Sequence, residues 1–322
     1  MKRRVVIVRW TGRGRIGDLR SAIVSRAGES GTPIEAKLVG NSILVNGTDP
    51  MDTVARLQYL PGTAWLAAGY EIGAFGDIGR TAGDLAKNYI RRGERFSVEA
   101  EATGRIIGAD AAGAATSGIL DSVKGARTSF DAPRVKFRVA FDGVRGAVGV
   151  QLRQGPGGVP TGGKSATCLV SGGPHSSVVS WMAALAGYRL RLVHARSTDS
   201  ALLGVARLYS ELSHRIDPRW LSIRVLRGES VLSVLRRHIT RSRGEIFGGF
   251  RTGRGILQTF GDAISSPLSL LPEEEFSREF GGLGIKGDEA VADWGSSSGT
   301  KYTESDFGGV TADVNDVLDG LA

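Results

Sequence analysis

Residues Ala166–Ser177 read ATCLVSGGPHSS, and this stretch decides the fold of the second half of the chain. The apolar run Cys168–Val170 predicts a buried parallel strand, and the apolar spacing that begins at about Ser177 predicts a helix. A glycine-rich turn, Ser171–Gly173, joins the two. Free backbone N–H groups and the positive end of the helix dipole converge at such a junction, so the sequence predicts a phosphate-binding loop.

The rest of this half alternates between strand and helix patterns. Such alternation predicts a parallel sheet with helices on both faces, which makes the fold class α/β. The predicted strands after the loop are Arg189–His194 and Leu221–Leu226, and the predicted helices are Ser177–Ala186, Ser200–Ser213 and Ser230–Thr240.

The first half of the chain shows shorter strands with alternating apolar residues. Asp49-Pro50 has the chemistry of a helix N-cap and first turn, so a helix through Leu57 is expected. The predicted strands are Arg3–Trp10, Ile34–Val39, Ser42–Asn46, Ala64–Ile72, Phe96–Ala102, Arg134–Phe141 and Ala147–Leu152. The other predicted helices are centred on Leu19–Val24, Ile78–Arg92 and Ile106–Val123.

Composition limits the class of protein. A chain of 322 residues with 41% hydrophobic residues is expected to form two or three globular domains. No apolar run reaches membrane-spanning length, so no membrane association is expected. The single cysteine excludes an internal disulfide and a cysteine-based zinc site, and it predicts a reducing, cytoplasmic location.

Positive charge is concentrated before residue 272. Residues 1–156 carry 23 Lys and Arg against 15 Asp and Glu, and residues 157–271 carry 15 against 6. Residues 272–322 carry 3 against 12. Two basic bodies followed by an acidic segment indicate a polyanionic partner.

The glycine- and proline-rich segment 157–165 has two interpretations. Gly158–Ser165 (GVPTGGKS) satisfies the Walker A pattern, which requires a preceding strand and a following helix. Here a strand is predicted to follow this segment, and no helix does. We therefore interpret 157–165 as an interdomain linker.

The motif Ser171-Gly172-Gly173-Pro174-His175-Ser176 resembles the Ser-Gly-Gly-x-Asp-Ser signature of PP-loop ATP pyrophosphatases. Together with the strand and helix segments on its carboxyl side, it makes the chain resemble the tRNA 4-thiouridine synthetase (tRNA sulfurtransferase) family. This sequence departs from the family pattern at His175, where the family has Asp. The family's persulfide-forming cysteine, which lies later in the catalytic domain, has no counterpart here.

The resemblance also implies a domain order. Phe96–Gly104 (FSVEAEATG) and Val135–Leu152 resemble parts of a THUMP domain, an RNA-binding module of the family. The implied domains are a ferredoxin-like module at 1–56, a THUMP-like domain at 57–156, a linker at 157–165, a PP-loop domain at 166–286 and an acidic tail at 287–322.

The family further implies ATP and Mg²⁺ as cofactors, and tRNA with an external sulfur donor as partners, with homodimerisation left open. No metal-ligating or catalytic side chain is assigned. The expected nucleotide-binding residues are Ser171, Gly172, Gly173, His175, Ser176 and His194. The expected RNA-binding residues are Arg91, Arg92, Arg95, Lys136, Arg236 and Arg237.

Three functions remain open from the sequence. The first is ATP-dependent tRNA thiolation, with uridine adenylation followed by sulfur transfer. The second is a catalytically inactive tRNA-binding relative with a vestigial nucleotide site, which His175 and the missing cysteine favour. The third, sulfur delivery in thiazole synthesis, is weakened by the same missing cysteine. Cys168 itself is interpreted as a small core residue, because it lies inside an apolar strand.

Overall fold

The computed structural model describes residues 2–28, 33–47, 49–103, 107–195, 199–226, 235–236, 238–239, 244–249 and 263–265. The chain divides into two compact units, Met1–Pro160 and Thr161–Ala322. The first contains a mixed sheet and the second a parallel sheet, so the predicted α/β fold class is confirmed.

Unit 1 is built on one eight-stranded sheet with the order β2-β3-β1-β4-β8-β7-β5-β6. Its strands are β1 (Arg4–Trp10), β2 (Glu35–Val39), β3 (Ser42–Asn46), β4 (Thr63–Ile72), β5 (Arg95–Ala102), β6 (Arg127–Thr128), β7 (Val135–Phe141) and β8 (Gly146–Gly157). Its helices are α1 (Ile16–Gly28), α2 (Pro50–Leu57), α3 (Asp77–Tyr89) and α4 (Gly108–Ser122).

The helix at Asp49-Pro50 forms as its cap predicts. The Asp49 side chain accepts hydrogen bonds from the amides of Met51 and Asp52 at 2.9 and 3.2 Å.

Helices α3 and α4 cross closely, since a Cβ on Gly118 would lie 2.0 Å from the Gly79 carbonyl oxygen. Both helices bury their apolar faces against β5, β7 and β8.

The sheet is continuous across the predicted boundary between residues 56 and 57. Strand β4 pairs antiparallel with β1 on one side and with β8 on the other. The first strand of the chain therefore belongs to the same hydrogen-bonded sheet as β7 and β8. The division of unit 1 into a ferredoxin-like module and a THUMP-like domain stays a prediction.

Unit 2 contains a four-stranded parallel sheet with the order β11-β10-β9-β12. Its elements are β9 (Ser165–Leu169), α5 (Pro174–Leu185), β10 (Arg189–Ala195), α6 (Asp199–Ser213), a 3₁₀ turn (Pro218–Trp220), β11 (Leu221–Leu226) and β12 (Glu245–Gly248). One face of the sheet buries its apolar residues against α5 and α6. Leu235, Ile239 and Ile264 pack on the other face.

The elements of unit 2 differ from the sequence expectation in two places. Helix α5 begins at Pro174 rather than Ser177, because proline suits the first helical position and Gly173 serves as N-cap. Strand β12 has no counterpart among the predicted strands, because it is only four residues long and two of them are glutamate and glycine. The predicted helix Ser230–Thr240 falls mostly outside the described residues.

The residues that join the units exclude the Walker A geometry. Strand β8 runs to Gly157 and strand β9 starts at Ser165, so a strand follows the GVPTGGKS segment as predicted. Lys164 has a side chain that is 81% exposed and lies 3.9 Å from Glu245. It is therefore held as a surface residue rather than in a phosphate loop.

Candidate functional site

The glycine-rich turn lies at the carboxyl end of β9. The chain places β10 and then β11 on one side of β9, and it later returns to place β12 on the other side. The carboxyl ends of these strands thus meet where the strand order reverses. In open parallel sheets, ligands bind in the crevice at this switch point.

Gly172 fixes one side of the turn against the start of α6. It has a φ of +89°, and a Cβ there would lie 2.3 Å from the carbonyl oxygen of Ala201. Gly204, one turn further along α6, is equally close, since its Cβ would lie 2.3 Å from the Gly172 carbonyl oxygen. The turn lies directly against the helix backbone at these two positions, so there is room for glycine and for no larger residue.

Gly249 brings the chain after β12 equally close to the other side of the turn. A Cβ on Gly249 would lie 2.4 Å from the backbone nitrogen of Ser176 in the first turn of α5. The loop is therefore bounded by backbone on two sides. Glycine at these positions lets the neighbouring segments pack directly against the turn.

Serine hydroxyls organise the turn internally. Ser176 Oγ donates to the carbonyl oxygen of Gly173 at 2.9 Å and accepts from the Ser171 amide at 3.3 Å. Ser171 Oγ accepts from the Gly173 amide at 3.3 Å. Ser177 Oγ also donates to the Gly173 carbonyl, at 3.1 Å. These hydroxyls hold the turn in shape and can reorient toward a bound anion, since each rotates freely about its C–O bond.

Helix α5 starts without a side-chain cap. Its N-cap is Gly173, which supplies no hydroxyl or carboxylate to the first amides. These amides carry the positive end of the helix dipole. Because the helix begins at Pro174, His175 and Ser176 belong to its first turn instead of the loop before it. Pro174 and His175 are half-buried, whereas Ser176 is only 3% exposed.

His194 supports the loop from beneath. It lies in β10 and is fully buried, and its Nδ1 donates to the carbonyl oxygen of Val170 at 2.8 Å. Val170 is the last residue before the turn, and its amide donates to the Val193 carbonyl at 2.9 Å. The structure therefore places His194 beneath the loop within the protein interior, and its predicted role in nucleotide binding stays a prediction.

Cys168 is buried in β9, two residues before Val170. It is 1% exposed, and burial raises the pKa of its thiol to about 12. A neutral, enclosed thiol is a poor nucleophile. The interpretation of Cys168 as a core residue is confirmed.

Four of the six predicted RNA-binding residues lie in unit 1. Arg91 and Arg92 follow α3, Arg95 starts β5, and Lys136 lies in β7 beside Ser97 of β5. All four of these side chains are exposed, and they lie on neighbouring segments.

The other two belong to unit 2, in the predicted helix Ser230–Thr240. Arg236 is exposed, and Arg237 lies outside the described residues. The structure therefore gathers these residues on no single surface among those it describes. Arg91 and Arg92 lie beyond the end of α3, whereas Arg95 and Lys136 lie on the sheet face turned away from α3 and α4, because Phe96 and Val135 pack against those helices.

The chemistry of the loop suits an anion better than a metal ion. Among the described residues, no three His, Cys, Asp or Glu side chains come close enough to hold a metal ion. The loop itself offers amides and hydroxyls, which suit phosphate better than a divalent cation.

No helix in the described ranges is long and apolar enough to cross a membrane.

Comparison with solved structures identifies proteins that share this fold. PH1313 from Pyrococcus horikoshii Ot3 is 19% identical, with a TM-score of 0.67 over 88% of this chain and 100% of its own. A 4-thiouridine synthetase, solved as an RNA complex with bound ATP, is 17% identical, with a TM-score of 0.66 over 88% of this chain and 85% of its own. The fold implied by the sequence resemblance is thereby confirmed. No protein-family model and no curated protein matches the sequence.

Sequence reasoning missed two features of the site. Gly204 and Gly249 both touch the loop backbone, and neither stands near the motif in the sequence. An isolated glycine within a helix pattern, as at Gly204, is the only available signal, since it indicates a close approach of another backbone. Gly249 becomes meaningful only once β12 is placed beside β9.

Proposed function

We propose that this chain binds tRNA through the basic surface of unit 1 and binds ATP at the glycine-rich loop of unit 2. The observation that carries the proposal is the loop itself. It lies at the switch point of a parallel sheet, with backbone packed on two sides, in a fold shared with an ATP-bound 4-thiouridine synthetase. The function is cytoplasmic tRNA modification.

The RNA surface is centred on the ends of α3 and α4. An open pocket of about 640 Å³ there is lined by Lys87, Ile90, Arg92, Ser122, Val123 and Lys124. The two helices end at Tyr89 and Ser122, where the negative end of each dipole favours cations. The pocket is therefore suited to a phosphate of the RNA backbone.

The charge on this surface is only partly compensated. Glu94 accepts the Arg91 amide at 2.8 Å and forms an ion pair with Arg134, and Lys87 lies 3.5 Å from Asp84. Arg92 and Lys124 form no ion pair with any residue that the structure describes. These two cations are consequently the strongest candidates for phosphate contacts at this pocket.

The loop supplies what ATP phosphates require. The first amides of α5 have no side-chain cap, and the hydroxyls of Ser171 and Ser176 lie in the turn beside them, so both kinds of donor are available to a phosphate. At this loop the α-phosphate of ATP would be open to attack by a uridine carbonyl oxygen with release of pyrophosphate, and incoming sulfur would then displace AMP from the uridine carbon. Mg²⁺ has no carboxylate ligand in the described part of the loop, and a neutral imidazole at His175 is a poor ligand for it.

The sulfur would come from an external donor. Cys168 is the only cysteine, and it is buried with a raised pKa. The chain therefore contributes RNA binding and nucleotide binding, and a separate protein would load the sulfur.

A catalytically inactive RNA-binding relative is the second candidate function. His175 favours it, because this position carries Asp in the family and an imidazole does not replace a carboxylate at a metal. Mass spectrometry of tRNA nucleosides from cells with and without the chain separates the candidates. Loss of 4-thiouridine without the chain supports the enzyme, whereas unchanged 4-thiouridine supports the inactive relative.

RNA binding itself is tested by fluorescence anisotropy with unmodified tRNA at several salt concentrations. We expect the affinity to fall steeply with salt, because each neutralised phosphate releases counterions. The double variant Arg92→Ala/Lys124→Ala should bind more weakly and lower the salt slope by about two. Arg56→Ala is the control, since Arg56 is a partly exposed cation on α2 paired with Asp52 at 2.9 Å. Equal binding by the double variant and the control would refute the proposed surface.

A further inference from the structure

A second basic pocket lies in unit 2, at the opposite end of the parallel sheet from the glycine-rich loop. It has a volume of about 140 Å³ and is formed by the first residues of β9, β10 and β11 and by the 3₁₀ turn. This is several times the roughly 30 Å³ that a water molecule occupies in the liquid. Its polar lining consists of Ser165, Thr167, Arg189, Arg191, Arg219 and Ser222, beside Trp220.

Strand register gathers the cations and hydroxyls on one face of the sheet. Arg189 pairs with Ser165 and Arg191 with Thr167 across β10 and β9. Arg191 also pairs with Ser222 of β11. Since alternate residues of a strand share a face, both arginines lie on the same face, beside the three hydroxyls.

Arg189 is held in a fixed position. Its Nη2 donates to the carbonyl oxygen of Gly162 at 2.9 Å, and its guanidinium carbon lies 3.8 Å from the centre of the Trp220 ring. Its Nε is buried and has no hydrogen-bond acceptor among the described residues. The aromatic ring and the carbonyl thus orient this cation before any ligand arrives.

Arg219 is oriented by a buried carboxylate. Asp217 is 1% exposed and caps the 3₁₀ turn, and its two oxygens accept from Arg219 Nε at 3.0 Å each. The hydrogen bond and charge of Asp217 raise the pKa of Arg219, which therefore stays protonated. The side chain of Arg219 nevertheless remains 59% exposed.

The positive field extends beyond the pocket along the same face. Burial lowers the pKa of His238, and the charges of Arg224 and Arg191 lower it further. Arg191 and Arg224 are both exposed, and neither forms an ion pair with a described residue. Within the pocket, Asp217 offsets only one of three arginine charges.

We propose that this pocket binds a phosphate group of the RNA chain, as a second anion site of unit 2 separate from the glycine-rich loop. Fixed guanidinium groups beside hydroxyls match the geometry of phosphate oxygens. The pocket is small, and the charge continues past it to Arg224, which fits one phosphate of a polymer better than a free nucleotide. This inference rests on the proposed RNA-binding function.

The test compares full-length variants at one exposed cation. Arg191→Ala removes a charge that lines the pocket from an exposed position, and Arg191→Lys keeps the charge. We expect Arg191→Ala to weaken tRNA binding about three- to tenfold at low salt and to reduce the salt slope by about 1. Arg191→Lys should recover most of the affinity, and the control Arg56→Ala should match wild type. ATP titrations should be the same for all four proteins.

The remaining outcomes are decisive. If Arg191→Ala binds tRNA like Arg56→Ala while Arg92→Ala/Lys124→Ala is impaired, RNA binding stands and this inference fails. If tRNA binding is unaffected but titration with inorganic phosphate shows a site that Arg191→Ala abolishes, the pocket takes free phosphate and the RNA assignment is overturned. If wild type binds neither tRNA nor inorganic phosphate, the inference and the proposed RNA binding fall together.

Discussion

His194 Nδ1 lies 2.8 Å from the carbonyl oxygen of Val170, the residue that immediately precedes the glycine-rich turn. A carbonyl can only accept, so the imidazole carries its proton on Nδ1. The contact ties the end of β9 to the end of β10 in a place where no solvent reaches His194. The histidine that sequence reasoning assigned to nucleotide binding therefore has a supporting contact inside the protein.

Replacing His194 should destabilise unit 2 and loosen the loop together. We expect His194→Ala to lower the free energy of unfolding by roughly 1–3 kcal/mol, because the Val170 carbonyl is left buried without its donor. Chemical denaturation measures this loss. Exposed His214 provides the control, and a His214→Ala variant as unstable as His194→Ala would show that the contact with Val170 is not the cause.

Gly172→Ala should destabilise the protein far more than an alanine substitution at a glycine that has a similar positive φ but no neighbouring atoms in the way. Gly93 has a φ of +84°, close to the +89° of Gly172, but a Cβ on Gly93 meets nothing within 4 Å. Left-handed strain costs about 1–2 kcal/mol at either position. The clash with the Ala201 carbonyl is added at Gly172. Thermal unfolding should therefore show a clearly larger loss for Gly172→Ala, and equal losses would refute the close packing of the loop on α6.

The sequence predicted most of the architecture because local chemistry determines it. The Asp49 cap, the alternating pattern of β7 and the apolar run of β9 each carry their own signal within a few residues. The start of α5 was misplaced because the apolar spacing begins only at Val178, whereas Pro174 already fits the first helical turn. Hydrophobic periodicity marks the buried face of a helix and leaves its polar first turn unmarked.

The candidate site was predicted only in part, because its walls come from distant segments. The motif located Ser171–Gly173 and Ser176, yet the contacts of Gly204 and Gly249 depend on how α6 and β12 pack against the loop. The anion pocket was missed for the same reason. Arg189, Arg191 and Arg219 stand in separate segments, and only strand register and the 3₁₀ turn bring them together.

ATP binding should depend on the glycine-rich loop and not on the Walker-like lysine. We expect Gly173→Val to weaken ATP binding at least tenfold, because a branched side chain at the helix N-cap blocks the approach of phosphate to the first amides. Lys164→Ala should leave the affinity unchanged, since that side chain is 81% exposed. Isothermal titration with ATP and Mg²⁺ measures both. Loss of binding in Lys164→Ala with none in Gly173→Val would reverse the assignment.

The thiol of Cys168 should be unreactive toward alkylating reagents in the folded protein. Iodoacetamide should alkylate it slowly at pH 8 in buffer and rapidly in denaturant, because burial raises the pKa of the thiol to about 12. Cys168→Ala should cost roughly 1 kcal/mol through lost packing and leave any tRNA thiolation unchanged. Thiolation that disappears in Cys168→Ala, measured by nucleoside mass spectrometry, would make this cysteine the sulfur carrier.

The buried thiol of Cys168 should also make the free energy of unfolding depend on pH. Its pKa is near 9.0 without burial and about 12 in the fold, so the folded state favours the protonated form. Its contribution to stability is complete below pH 9 and declines as the pH rises toward 12, because the unfolded chain ionises first. Chemical denaturation between pH 8 and 10.5 should therefore show a steeper decline for wild type than for Cys168→Ala. Parallel curves would contradict the burial of the thiol.

The position of strand β4 in the sheet also determines how late unit 1 can complete its sheet while the chain is being synthesised. During synthesis β1 can pair with β3 soon after both strands have been made. The second partner of β4 is β8, which is synthesised more than seventy residues later. Until Gly157 emerges, β4 presents an open edge ten residues long, which is the kind of surface that recruits other chains. A chaperone that shields this edge during synthesis would keep unit 1 from associating with other chains.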